Sequence, residues 1–177
     1  MRQEIRPWPK NHWNERGAQV SCQVGRAGPP ASLSIVNLGK EMSKGQLTGM
    51  AGVYFVAAQA SLRGLIASPT SRGAMAADLL ITDSDCKRAY SVQVKTNKVT
   101  FNFWLMGKRC LDMVSSTLVY ALVNLRKVGR SIFIVPSRMV AKKIKVSEAS
   151  ASRKHTWYSL YRKEIEGYRD AWHIFQE

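Results

Sequence analysis

The chain has 177 residues, 45% of them hydrophobic, and its 27 Lys/Arg against 12 Asp/Glu give a formal net charge of +15. That length suits one compact domain with tails, and the surplus exceeds the roughly 2–8 charges that keep a small domain soluble; it points to a polyanionic partner, nucleic acid first. Cys22, Cys86 and Cys110 are widely spaced without a C-x-x-C, and His12, His155 and His173 lack ligand spacing, so neither a disulfide framework nor a zinc site is expected. No apolar h-region or run near ~18 residues is present, so the expectation is a reduced, cytoplasmic protein without membrane contact.

The surplus is concentrated in the middle. Residues 46–145 carry fifteen Lys/Arg against four Asp/Glu, whereas residues 146–177 carry five of each. Residues 1–45 mix Trp8, Trp13, glycines and prolines without a period, and Gly28-Pro29-Pro30 resists both helix and strand. This stretch reads as a disordered basic leader, with the folded domain spanning 46–177.

Regularity begins at Gln46. Val53, Val56, Ala57 and Ala60 form one face of a helix that Gly64 terminates. A loop through Ser68-Pro69-Thr70-Ser71 follows. The runs Ala77–Thr82 and Ala89–Thr96, joined by the polar stretch 83–88, predict a β-hairpin. Phe101–Met106 reads as a third strand, and Thr117–Leu125 and Ser131–Val135 as two more around a Lys-Val-Gly-Arg turn. Ser137 then caps a short helix to about Lys145. Residues 146–154 read as a polar linker, and the aromatic-rich segment His155–Glu177 as a helix packed on the body. The order predicts an α/β fold, a mixed central sheet of about four to five strands flanked by helices.

The hairpin carries the chemistry. If Asp83 pairs with Arg88, constant register sets Asp78 opposite Gln93, and Lys95 shares that face two residues on. Phosphodiester hydrolysis uses a hard cation to polarise the phosphate. Mg²⁺ takes oxygen ligands, here the Asp78 carboxylate and the Gln93 amide oxygen, and Lys95 can offset the charge that develops on phosphorus. The same pairing is also the pattern of a structural Asp–Lys ion pair. A one-residue slip would break the convergence.

Gly49-x-x-Gly52 on a helix, then Ala77-Asp78-Leu79-Leu80, then Gln93-Val94-Lys95-Thr96-Asn97, resembles the PD-(D/E)XK nuclease superfamily, and most of all its resolvase-like and restriction-endonuclease-like members. The resemblance covers roughly residues 46–145 and the C-terminal aromatic segment. It implies a helix–hairpin–sheet core and Mg²⁺-dependent (or Mn²⁺-dependent) DNA cleavage. By the match, Asp78 corresponds to the metal-binding Asp, Gln93 stands where the second acidic ligand usually stands, and Lys95 is the motif lysine. Relatives often carry a Glu just after the second glycine, where this chain has Val53.

Asn97 and Lys98 at the strand end, Lys108 and Arg109 beyond Phe101, Phe103 and Trp104, and Arg126, Lys127 and Arg130 at the later turn are the expected nucleic-acid contacts. A solvated basic face or a core aromatic strand accounts for the same residues. The leading expectation is a metal-dependent endonuclease acting on DNA, with a homodimer compatible with that reading. The alternative is a catalytically inactive nuclease-fold module that binds DNA or RNA. A third reading is a basic RNA-associated protein of unrelated fold.

Overall fold

A computed structural model describes residues 43–71, 77–98, 101–126, 129–149 and 154–176. The expected leader lies outside these residues apart from its last three. Ser43 caps helix α1 (Lys44–Ser61): its hydroxyl accepts from the Gln46 amide at 3.3 Å, and the Gln46 side chain accepts from the Ser43 amide at 2.8 Å. This reciprocal pair satisfies two orphan donors of the first turn and begins the helix two residues before Gln46. At the other end Gly64 adopts φ +77, a left-handed conformation that costs glycine nothing, and the chain leaves the helix there.

Strands β1 (Ile66–Pro69), β2 (Leu79–Thr82), β3 (Ala89–Asn97), β5 (Leu118–Asn124) and β6 (Ser131–Pro136) form a mixed sheet in the order β1-β2-β3-β5-β6. Pairings are antiparallel except β3 with β5, which is parallel. The fold is mixed α/β, as the sequence predicts. Ser68 and Pro69, expected in a loop, end the edge strand β1, where proline's missing N–H is tolerated.

Strand β4 (Phe103–Met106) leaves this sheet and joins β8 (Trp157–Tyr161) and β7 (Lys145–Ser147) in a separate three-stranded sheet, order β4-β8-β7. A parallel pair needs a crossover of a dozen or more residues, and β4 lies in the one linking β3 to β5. Helix α2 (Ser137–Lys143) follows β6. Ser137 does not cap it: its hydroxyl donates to the Ser115 carbonyl at 2.8 Å and accepts from the Ser115 amide at 3.0 Å, tying α2 to the approach of β5.

Two expectations fail toward the C-terminus. Part of the 146–154 linker belongs to β7. The aromatic segment is not a helix: Trp157–Tyr161 is a strand, followed by three short 3₁₀ turns. Aromatic residues suit a pleated surface, and Asp170 at φ +49 interrupts any continuous helix.

The sheet separates two cores. On one face α1 delivers Val56 and Ala60 to Leu79, Ile81, Val92, Val94 and Ala121, with Trp172 and Phe175 closing the end. On the other face Tyr120, Leu122, Phe133 and Val135 meet Trp104 and Leu160 of the small sheet and Val140 of α2. Strand β5 is buried at every residue, and its unbroken apolar run is the signature of a strand covered on both sides.

Helix α1 approaches β3 most closely at Gly52. A Cβ there would overlap Thr96 Oγ1 outright and lie 2.9 Å from Thr96 Cβ and Cγ2, whereas one at Gly49 would meet nothing within 4 Å. Gly52→Ala is therefore expected to cost about 1–3 kcal/mol by overpacking. Gly49→Ala, three residues earlier on the same helix, should gain about 0.5–1 kcal/mol. Urea denaturation of the two variants measures both, and equal signs would contradict the packing.

Candidate functional site

From Thr82↔Ala89 to Leu79↔Val92 the hairpin pairs in the expected register. The register breaks one residue later. The Asp78 amide donates to the Val92 carbonyl at 2.8 Å, so Asp78 and Leu79 both face Val92. Two residues opposite one is a β-bulge, which bends the strand and re-aims a side chain. The Asp78 carbonyl accepts from the Thr70 amide at 3.1 Å, fixing the bulge to β1. Asp78 Oδ2 accepts from the Val94 amide at 2.7 Å. The carboxylate thus takes the place of a backbone carbonyl where β2 has ended, at the residue between Gln93 and Lys95.

This corrects the expected convergence of three side chains on one face. Gln93 and Lys95 pair in register with Tyr120 and Leu122, which belong to the core beneath the small sheet. Val94 pairs with Ala121 and belongs to the core beneath α1. Helix α1 therefore packs on the face opposite Gln93 and Lys95, not beside them. Asp78 lines a cavity of about 400 Å³ with Gly49, Val53, Tyr54 and Val94. Lys95 lines a different cavity of about 360 Å³, with Phe101, Phe103, Leu105 and Trp157. Asp78 and Lys95 make no ion pair within 4.0 Å. Val53 does share Asp78's cavity, so the helix position at which the resemblance expects a Glu opens onto Asp78. Among the described residues no three His, Cys, Asp or Glu gather at one point.

Cys110 and Tyr120 lie on the Lys95 side. Burial pushes the Cys110 thiol above its ordinary pKa, its hydrogen bond to backbone and the positive charge of Lys95 opposing that. The thiol also donates to the Gly107 carbonyl at 2.7 Å. It is a buried core group. Burial, and secondarily Cys110, pushes Tyr120 up to about 12.

The expected nucleic-acid contacts fall in different places. The Asn97 side chain donates to the Phe103 carbonyl at 2.7 Å and so ties the end of β3 to β4. Lys98 is exposed and, with Lys44 and Arg130, rims a cavity of about 650 Å³ floored by Phe55 and Leu125. Lys108 and Arg109 are exposed on the 3₁₀ turn Lys108–Leu111. Arg126 is half-buried with its Nε buried and without a hydrogen-bond partner, and Lys127 lies outside the described residues. Lys44 was not legible as a member of this group, because only the packing of α1 brings it beside Lys98. No family model matches the chain, and no curated protein matches it. Among the described residues no helix is long and apolar enough to cross a membrane.

Two stability effects follow. Asp78→Ala leaves the Val94 amide without its acceptor and is expected to cost about 1–3 kcal/mol. Asp78→Asn keeps an oxygen there and should cost less. Chemical denaturation of the pair reads the difference, and equal losses would mean that the bond does not hold the bulge.

Tyr120 governs alkaline behaviour. Its folded pKa lies above its ordinary value of 10.0, so the folded state holds the phenolic proton more tightly. The stability this gives is complete below pH 10 and is lost as the pH climbs through about 12. Circular dichroism across that window should show Tyr120→Phe unfolding at higher pH than the wild type, and identical profiles would contradict it.

Proposed function

We propose that the chain is a nuclease-like protein that hydrolyses DNA phosphodiester bonds, with Asp78 as its metal-binding carboxylate and Lys95 as its motif lysine. The observation that carries this reading is the bulge that turns the Asp78 carboxylate onto the Val94 amide, inside the Gln93-Val94-Lys95 motif. Bulges recur beside active sites because they aim one side chain out of the regular ladder. The helix-first order, the antiparallel hairpin and the mixed sheet agree with what the PD-(D/E)XK resemblance implies. The surplus of eleven positive charges in residues 46–145 suits a polyanionic substrate.

The Asp78 carboxylate is an oxygen donor of the kind a hard divalent cation takes, and it stands alone in its cavity among acidic side chains of the described residues. Asp78 Oδ2 is committed to Val94, so Mg²⁺ or Mn²⁺ would fall to Oδ1 and water, Gln93 standing on the other face of β3. Such an ion supplies positive charge to polarise the phosphate and acidify a bound water. Lys95, on the other face of β3, supplies positive charge for the DNA phosphates. The Val94 amide keeps the carboxylate in one orientation, so little reorganisation is needed when substrate arrives.

A second reading, DNA or RNA binding without cleavage, is favoured by a specific observation. Val53 presents an apolar side chain to Asp78's cavity, and Gln93 and Lys95 project from the other face of β3. The negative charge available to a cation is then a single carboxylate.

One experiment separates the two. Purified full-length chain is incubated with single-stranded, duplex and branched DNA in Mg²⁺ or Mn²⁺. The catalytic reading expects cleavage that Lys95→Ala and Asp78→Asn each reduce about 100-fold or more, with binding little changed because many Lys/Arg share the phosphate contacts. Binding should weaken steeply with salt. Salt-sensitive binding without cleavage of any of the three substrates would overturn the catalytic reading in favour of the second.

A further inference from the structure

The small sheet has one buried face and one outer face. Directly opposed residues project to the same side, so the pairings Phe103↔Tyr161, Leu105↔Ser159 and Lys145↔Ser159 put these side chains together, with Trp157 two residues along β8. Trp104, Met106 and Leu160 take the inner side and are buried. On the outer side Ser159 is covered, but the large side chains remain exposed: Phe101 is 52% exposed, Leu105 52% and Trp157 45%. Phe101, Phe103 and Tyr161 form a chain of rings with centroids 5.4 and 5.7 Å apart. This surface continues into the cavity that Lys95 lines.

A contiguous exposed apolar face marks a binding site, and its surroundings select the occupant. Lys95 lines the cavity, no carboxylate of the described residues does, and Lys145 is exposed on the same face. A second copy of this chain would bring another +15 to a face already edged with cations. A polyanion with flat apolar groups matches on both counts. Unpaired nucleotides are that ligand, because every base offers a π-face while its phosphate seeks the lysine. In a duplex those faces are stacked on one another and withheld. The ligand is taken as DNA because the function proposed above acts on DNA.

We propose that the outer face of the β4-β8-β7 sheet is a stacking platform for unpaired DNA bases, so that the substrate led to Lys95 is single-stranded DNA. This deepens the function proposed above and rests on it.

The test is fluorescence anisotropy of labelled single-stranded DNA, the same sequence as a duplex, and the same sequence as RNA, all with EDTA present so that cleavage plays no part. Trp157→Ala and Phe101→Ala are each expected to weaken single-strand DNA binding about 10-fold and to leave duplex binding unchanged. Trp157→Phe, which keeps a ring, should retain most of the affinity. Both residues are half exposed, so truncation does not empty the core. Equal losses on single strand and duplex would overturn the platform while leaving nucleic-acid binding intact. RNA bound more tightly and lost more steeply would overturn the assignment to DNA. Sedimentation showing self-association that Trp157→Ala abolishes would make the face a dimer contact and overturn the proposal. Failure of the wild type to bind any of the three nucleic acids would remove this inference and the proposed function together.

Discussion

The parallel pairing of β3 with β5 is the constraint from which the rest of the molecule follows. Seven residue pairs, from Ser91↔Leu118 to Asn97↔Asn124, hold the two strands side by side. A parallel neighbour cannot be reached by a tight turn, so the chain between them must leave the sheet, and it leaves as β4 and one 3₁₀ turn. That excursion founds the second sheet and covers the face that α1 does not. Strand β5 is thereby enclosed on both sides. The alternation along β3 then becomes a partition, with Val92, Val94 and Thr96 toward α1 and Gln93 and Lys95 toward the small sheet.

Asp78 lies on the α1 side of that partition. Its bulge places it at the point where β2 has run out and β3 continues with an open edge. There its carboxylate substitutes for the missing carbonyl of a neighbouring strand. A carboxylate held by one backbone amide keeps its second oxygen for other work, so a structural role and a chemical one are compatible in the same residue. Gly52 serves the same region from the helix side. Only a residue without a Cβ lets α1 settle onto Thr96, and this close approach brings Gly49 and Val53 to the cavity beside Asp78.

Charge is distributed to match. The ion pairs Lys87–Asp85, Lys143–Glu164 and Arg162–Glu166, with Arg169 also on Glu166, lie at the hairpin tip and in the C-terminal half of the chain. Exposed pairs of this kind contribute little to stability. Among the described residues these pairs do not involve Lys95 or the rim of Lys44, Lys98 and Arg130. Positive charge is thus concentrated around the ends of β3 and β5, and apolar rings adjoin it on the small sheet.

Sequence alone determined what depends on near neighbours. The period of Val53, Val56 and Ala60 specified α1, Gly64 its end, and the two apolar runs around 83–88 a hairpin whose register holds from Thr82 to Leu79. The unbroken apolar run of β5 and the strand β6 were equally legible, because strand preference and burial coincide there. What sequence could not decide was which strand pairs with which, since that depends on contacts between distant residues. Phe103–Met106 reads as a strand in either sheet, and only its pairing with β8 excludes it from the first. Trp157, Ser159 and Tyr161 satisfy a strand's alternation, yet the same aromatic richness suits a helix until β4 supplies an edge. The bulge at Asp78 was likewise invisible. Constant register is the default of an antiparallel pair, and one extra residue, anchored by a carboxylate reaching Val94 sixteen positions away, is a decision made by tertiary structure.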